Sequence, residues 1–324
     1  MEQYLKTGDA ASYLFPKDWY QVFDHPFAAP RAQNESMVLK TFTEGLKREE
    51  CRMIGTLLLY LYRTTFALDR QIERYLAQRE LLPAEGIAEL LAFAKREHLL
   101  NCFTFSETGE GKLPEDALRI YCLDHAARYV LGHFYREDVL YTWNRFRALA
   151  SAPVVSRNLV INDLYLEFGA RCRPKVTDMS APMHFYYNHR NIFLSGGFRV
   201  RDETKGIREY LVEVVRSADL PDFWQSKVTE QLAPFLSETH GAEATEPNWR
   251  RFFERRPALI FFGDTEEDLA EIGAVYERAV KDSCYRLALL RDLPKGLGSI
   301  RLYRYQAETH RAEPTASVLL QLVV

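Results

Sequence analysis

Apolar positions recur at threes and fours through the first part of the chain, and at twos or in short solid runs through the rest. Met53, Leu57, Leu58 and Leu61 mark one buried face, and the helical pattern runs from about Glu35 to Phe66. Thr64-Thr65-Phe66-Ala67 breaks it. Leu68–Gln78 restarts it, with Ile72, Tyr75 and Leu76 on one side and Asp69 in the first turn, the favourable end for an acid. Pro83 suits the first turn of a third helix, which carries Ile87, Leu90, Leu91 and Phe93 to about His98. Leu99–Phe105 and Ala117–Leu123 then read as two strands joined by a polar glycine turn. Asp124 is placed to cap a helix over Ala126–Tyr135, and a further helix is expected over about Arg136–Leu149.

Three helices followed by a hairpin is the order of a winged helix-turn-helix. Beyond Ser151-Ala152-Pro153 the pattern changes. A helix is expected over Arg157–Phe168. Strands are expected near Met183–Tyr187, Arg190–Leu194, Phe198–Arg201 and Tyr210–Val215, then a helix over Phe223–Leu236. Pro257–Phe262 is an almost wholly apolar strand, Glu266–Lys281 an amphipathic helix, and Tyr285–Leu290 and Ser299–Tyr303 later strands. The tail, Ser317–Val324, is an apolar strand or docking segment. The predicted fold class is α/β (α+β): an N-terminal winged helix-turn-helix, then a mixed-sheet α/β domain with helices on both faces. The predicted divisions are 1–35 as an aromatic and proline-rich arm, 36–150 as the winged-helix domain with trailing helices, and 151–324 as the α/β domain. The arm is expected to pack over its own domain, with a homodimer contact as the alternative.

Composition narrows the class. The chain has 324 residues, a formal charge of -3 and 47% hydrophobic residues, ordinary for a soluble globular protein and without global bias toward nucleic acid. Five widely spaced cysteines without a CxxC pair argue against a disulfide framework or a zinc site. The start lacks the basic and apolar regions of a signal peptide, and no apolar run spans a membrane, so a cytoplasmic protein with no membrane partner is expected.

The stretch with most chemistry is Tyr210–Arg216, a strand with one carboxylate, Glu213, among Val212, Val214 and Val215. An earlier acid, an acid on a strand and a following helix is how some metal-dependent nucleases are built. There, two carboxylates hold a Mg2+-class ion and a cation steadies the developing charge. Asp202 and Glu213 are the candidate acids, Glu167 a third oxygen ligand, and Lys227 the candidate cation. The usual place for that cation, two residues past the second acid, holds Val215. Glu213 therefore either meets a metal or, more simply, pairs with an arginine. No resident cofactor is expected; Mg2+ enters only if this site is active. The histidines show no metal-binding spacing, and His184 and His189 read as ordinary polar residues near a hairpin.

For DNA, the candidate contacts are Arg63, Arg70, Arg74, Arg79, Lys95, Arg96 and Lys112. The third helix is a poor recognition helix, because Lys95 and Arg96 are outnumbered by Glu85, Glu89 and Glu97. The second is better, with Arg70 and Arg74 one turn apart.

Several segments resemble the replication-relaxation family of plasmids, conjugative elements and phages. The resemblance rests on Met53–Phe105 as the winged helix and on Ile120-Tyr121-Cys122-Leu123-Asp124-His125-Ala126-Ala127, similar to the family's Tyr-x-Leu-Thr-x-x-Gly step. It also rests on Leu211-Val212-Glu213-Val214-Val215-Arg216, similar to its Val-Glu-x-Asp-Arg strand, on the helix with Trp224, Lys227 and Leu232, and on Arg256-Pro257-Ala258-Leu259-Ile260 before an acidic helix. It implies a winged helix joined to a restriction-endonuclease-like domain. The implied role is DNA binding, or assistance to a relaxase-type partner, in plasmid replication, mobilisation or conjugative transfer. Position by position, Asp202 would be the first acid and Glu213 the second. Val215 departs from both patterns, which predicts an inactive nuclease-like domain. The alternatives are an active Mg2+-dependent endonuclease using Asp202, Glu213 and Lys227, and a winged-helix transcriptional regulator whose second half senses a ligand or dimerises.

Overall fold

The computed structural model describes residues 20–25, 27, 34–81, 86–106, 113, 115, 117–135, 144–171, 176–187, 190–202, 206–236, 248–281 and 284–323. The fold is mixed α/β, and the chain divides into two compact units, Met1–Asn162 and Asp163–Val324.

The first unit opens with β1 (Tyr20–Phe23), which lies antiparallel on β3 (Leu100–Ser106). The described part of the aromatic arm is thus an edge strand of its own domain. The single helix expected from Glu35 to Phe66 is two, α1 (Glu35–Glu44) and α2 (Arg48–Thr64). They part at Gly45, where a side chain would set its Cβ 2.6 Å from the Thr41 carbonyl oxygen. α2 buries Ile54, Leu57, Leu58 and Leu61, so Ile54 and not Met53 begins the inward face. A two-residue strand, β2 (Ala67–Leu68), leads into α3 (Asp69–Ala77). Next come α4 (Ala88–Arg96), β3, β4 (Ile120–Leu123) and α5 (Ala127–Tyr135). The sheet order is β1-β3-β4-β2, antiparallel throughout. The helix expected over Arg136–Leu149 falls largely outside the described residues; Arg145–Ala148 is a single 3-10 turn.

A long helix, α6 (Ala152–Arg171), contains the division between the units. The sequence places that boundary at 150/151. The first turns of α6 instead belong with unit one, where Gln71 Nε2 donates to the Leu159 carbonyl at 2.8 Å and the Asn162 amide donates to the Phe66 carbonyl.

The second unit holds a seven-stranded sheet and a separate hairpin. The hairpin is β6 (Met183–Tyr187) with β7 (Arg190–Leu194). The sheet comprises β5 (Val176–Ser180), β8 (Gly196–Asp202), β9 (Gly206–Val214), β10 (Ala258–Gly263), β11 (Tyr285–Leu289), β12 (Arg301–Gln306) and β13 (Arg311–Val318). Its order is β13-β12-β11-β10-β9-β8-β5; β9, β10 and β11 run parallel, and the flanking pairs are antiparallel.

The parallel strands are joined by helical crossovers, as they must be. Between β9 and β10 the chain is π-helical over Leu220–Trp224 and Lys227–Leu232, then continues as α7 (Ala233–Leu236). The ordinary α-helix expected over Phe223–Leu236 is therefore wound with more residues per turn over most of its length. Between β10 and β11 runs α8 (Glu266–Val280), capped by Thr265 and Asp268, whose side chains each accept the other's backbone N–H. Beyond β13 a short helix, α9 (Leu319–Val323), stands where an apolar strand or docking segment was expected.

Side chains alternate along β9. Leu211 and Val215 enter a core with Trp224, Val228, Phe261, Ile272 and Tyr276, beneath the crossover helices. Tyr210 faces the other side, where it stacks on Phe198, which in turn meets Phe168 of α6 at 4.3 Å between ring centroids. Helices thus cover both faces of β9, and this isolates anything polar placed upon it.

Candidate functional site

Glu213 lies in β9 on the same face as Leu211 and Val215, with β8 and β10 on either side. It is 1% exposed. A carboxylate there must find a cation or hydrogen-bond donors. It finds both. Lys227 Nζ lies 2.5 Å from Oε1, and the Ser195 backbone N–H donates to Oε2 at 2.8 Å. The Ser195 hydroxyl oxygen accepts the Val214 N–H at 3.0 Å, so the β7–β8 turn is tied to β9 through both residues. Lys227 is itself buried, with its ammonium 5.3 Å from the Phe223 ring centroid one turn earlier.

The expected arginine partner is a lysine. Arg216 goes elsewhere: its guanidinium holds Asp264 at 2.7 Å, and the Ser217 N–H also donates to that carboxylate at 3.1 Å. The Ser217 hydroxyl reaches Asp268 at 2.6 Å. Asp264, just past β10, and Asp268, in the first turn of α8, thus fasten the turn that follows β9.

Asp202 is not brought to Glu213. It pairs with Gly206 at the start of β9, whereas Gly196 pairs with Val212. Seven residues of strand separate Gly206 from Glu213, about 23 Å. Glu167 is buried on α6, which packs the Tyr210 face of the sheet, opposite to Glu213. The set Asp202, Glu213 and Glu167 thus does not fit a Mg2+-class ion. Its second and third ligands are remote, and both oxygens of Glu213 are already engaged. Of the proposed catalytic trio the structure joins two members, Glu213 and Lys227.

The candidate DNA-contacting residues divide as clearly. Arg63, Arg70 and Arg96 are exposed, and Arg70 and Arg74 share α3. Arg79 lies over the Tyr75 ring at 3.6 Å. Lys95 is bound to Asp24 at 2.7 Å, and Arg96 is 3.1 Å from Glu97. Acids hold the two bases of α4. Lys112 lies outside the described residues.

One cluster was invisible in the sequence. His25, His98 and Asp124 converge in the first unit, with one ligand atom from each lying within 4.8 Å of the others. Asp124 is not the side-chain cap expected for α5; its Oδ1 accepts the adjacent His125 N–H at 2.6 Å. Burial pushes its carboxyl above the usual range, while the His125 N–H and the two imidazoles pull it back. Burial, with Arg128 and His98 adding to it, lowers the His125 imidazole. The three residues follow the ends of β1, α4 and β4, so only the folded topology unites them.

No family model matches this chain, and no curated protein matches it. Among solved structures, the crystal structure of protein VC1899 from Vibrio cholerae is similar at a TM-score of 0.25 and 10% identity, covering 88% of this chain and 58% of that one. The chain thus spans less than two thirds of that protein's length. No helix among the described residues is long and apolar enough to cross a membrane.

Proposed function

We propose that this chain is a DNA-binding accessory protein whose second unit keeps the frame of a nuclease without its chemistry. The observation that carries the proposal is the closed Glu213–Lys227–Ser195 constellation, with Asp202 at the opposite end of the strand pair. A carboxylate neutralised by a buried ammonium and a backbone donor is a structural element. It has neither the second acid nor the free oxygens that a metal-dependent phosphodiester cleavage needs.

The connectivity of the first unit supports its half of the reading. The order α2-β2-α3-α4-β3-β4, with β4 between β2 and β3, is what a winged helix-turn-helix requires. Arg70 and Arg74 on α3, with Arg63 at the end of α2, supply the positive side chains that phosphate contact demands. The mixed sheet, with an acid on a central strand and helices on both faces, supports the restriction-endonuclease-like reading. The replication-relaxation resemblance supplies the setting: DNA or a relaxase-type partner, in the cytoplasm, during replication, mobilisation or transfer of a mobile element.

Gel shifts over a salt series test the binding half. Affinity is expected to fall as salt rises, and Arg70→Ala with Arg74→Ala to lower the log–log slope by about 2. Salt-independent binding, or none, would refute it. A second reading, an active endonuclease, is favoured by one observation: Lys227 reaches Glu213 from the helix, where the nuclease pattern supplies its cation from the strand. Supercoiled plasmid with Mg2+ or Mn2+ separates the two. The proposal expects no nicking. Divalent-dependent nicking lost in both Glu213→Gln and Lys227→Met would select the enzyme.

A further inference from the structure

We infer that the first unit carries a site for a Zn2+-class transition-metal ion, held by His25, His98 and Asp124. The argument begins with distances. His98 Nδ1 lies 3.4 Å and His25 Nδ1 3.7 Å from the same oxygen, Asp124 Oδ2. Both are long for an N–H···O hydrogen bond. They match the edge of a coordination tetrahedron, because two atoms each about 2.0–2.1 Å from a zinc ion stand about 3.3–3.4 Å apart. Closing the third edge to that length takes small rotations of two imidazoles whose rings already meet edge to face at 4.9 Å.

The buried carboxylate supplies a second, independent observation. Asp124 is 0% exposed, and among the described residues neither its Oδ2 nor His98 Nδ1 has a hydrogen-bond partner. No lysine or arginine forms an ion pair with Asp124 among the described residues. A carboxylate oxygen withdrawn from water without a donor is costly, and a cation at the point where these atoms converge removes that cost. Two imidazole nitrogens and one carboxylate oxygen suit zinc and its neighbours over Mg2+ or Ca2+, which take oxygen ligands.

The frame around the three side chains is fixed without an ion. The Asp24 N–H donates to the Cys102 carbonyl at 2.8 Å and Asn101 Nδ2 to the His25 carbonyl at 2.9 Å, while Lys95 pairs with Asp24. His98 holds the left-handed backbone with φ 53°, which turns the chain sharply from α4 into β3. Its carbonyl accepts the Ala126 N–H at 3.0 Å, and Asp124 Oδ1 is held by the His125 N–H. Such outer contacts orient ligands. The two histidine side chains are 25% and 20% exposed, so water reaches the fourth position. The bound ion would fasten the segment after β1 to the ends of α4 and β4.

The test uses the full chain and zinc alone. Protein stripped with chelator and titrated with Zn2+ is expected to take up about one ion per chain and to melt at a higher temperature. Co2+ in its place should give the intense visible absorption of a tetrahedral site. His25→Gln, on the segment that follows edge strand β1, should weaken uptake by more than tenfold with unchanged circular dichroism; Asp124→Asn should abolish it. No zinc uptake by the folded wild-type chain, or uptake that His25→Gln leaves unaltered, would overturn the assignment.

Discussion

Removing the ammonium from Lys227 leaves the Glu213 carboxylate charged inside the second unit, 1% exposed and with the Ser195 N–H as its remaining donor. Breaking a buried pair from one side costs about 3–5 kcal/mol, because the abandoned charge keeps its desolvation penalty. Lys227→Met keeps the stem that lies beside Phe223, so little packing is lost with the charge. In a unit of this size each kcal/mol moves the melting point by about 2–4 °C, so the variant should melt about 6–20 °C lower. Glu213→Gln strands the ammonium instead and should cost a similar amount, although its amide oxygen still accepts from Ser195. The double variant carries neither charge. It should lose only about 1–3 kcal/mol, mostly from an amide N–H2 facing a thioether. The assay is a thermal and urea melt of all four proteins, read as a double-mutant cycle. A coupling of several kcal/mol is expected. Effects that add to within about 0.5 kcal/mol would show that the two groups do not depend on each other and would refute the reasoning.

Ser195→Ala removes the acceptor of the buried Val214 N–H and should destabilise the fold by about 1–3 kcal/mol, whereas Ser195→Thr, which keeps the hydroxyl, should cost less; equal losses would show that the hydroxyl is not the acceptor that matters. Burial pushes the Cys102 thiol up to about 12, above the value of about 8.5 that it has in an unfolded chain. The folded state therefore holds this proton longer, so the contribution is full below about pH 8.5 and is lost as pH rises toward 12. Melting points taken from pH 8 to 10.5 should fall less steeply for Cys102→Ala than for the natural chain, and parallel curves would count against the shift.

Much of the fold was legible because its elements have strong periods. The apolar run before Gly263, the β6–β7 hairpin and α8 lie within a residue or so of where pattern places them. Gly45 was harder to read as a break, because a lone glycine is compatible with a helical pattern. The site was legible in part. A carboxylate among valines announces a buried charge, but the partner it finds is Lys227 and not the expected arginine. That Asp202 belongs to the far end of the strand pair depends on register, which residue types do not reveal. His25, His98 and Asp124 left no signal, since each is an ordinary polar residue at the end of a different element.

The π-helical crossover has one more consequence. Lys227 reaches Glu213 from a crossover whose turns from Leu220 onward are wound more widely than an α-helix. A wider turn is equivalent to a local insertion. Rewinding the segment as an α-helix with every residue kept would rotate everything upstream by about 100° relative to Lys227, whereas deleting one residue would offset that rotation. With every residue kept, either the ammonium or Trp224 would leave the core face. Chain length and winding are thus coupled in this crossover: a one-residue deletion between Leu220 and Lys227 should keep the Glu213 pair only if the segment rewinds as an α-helix.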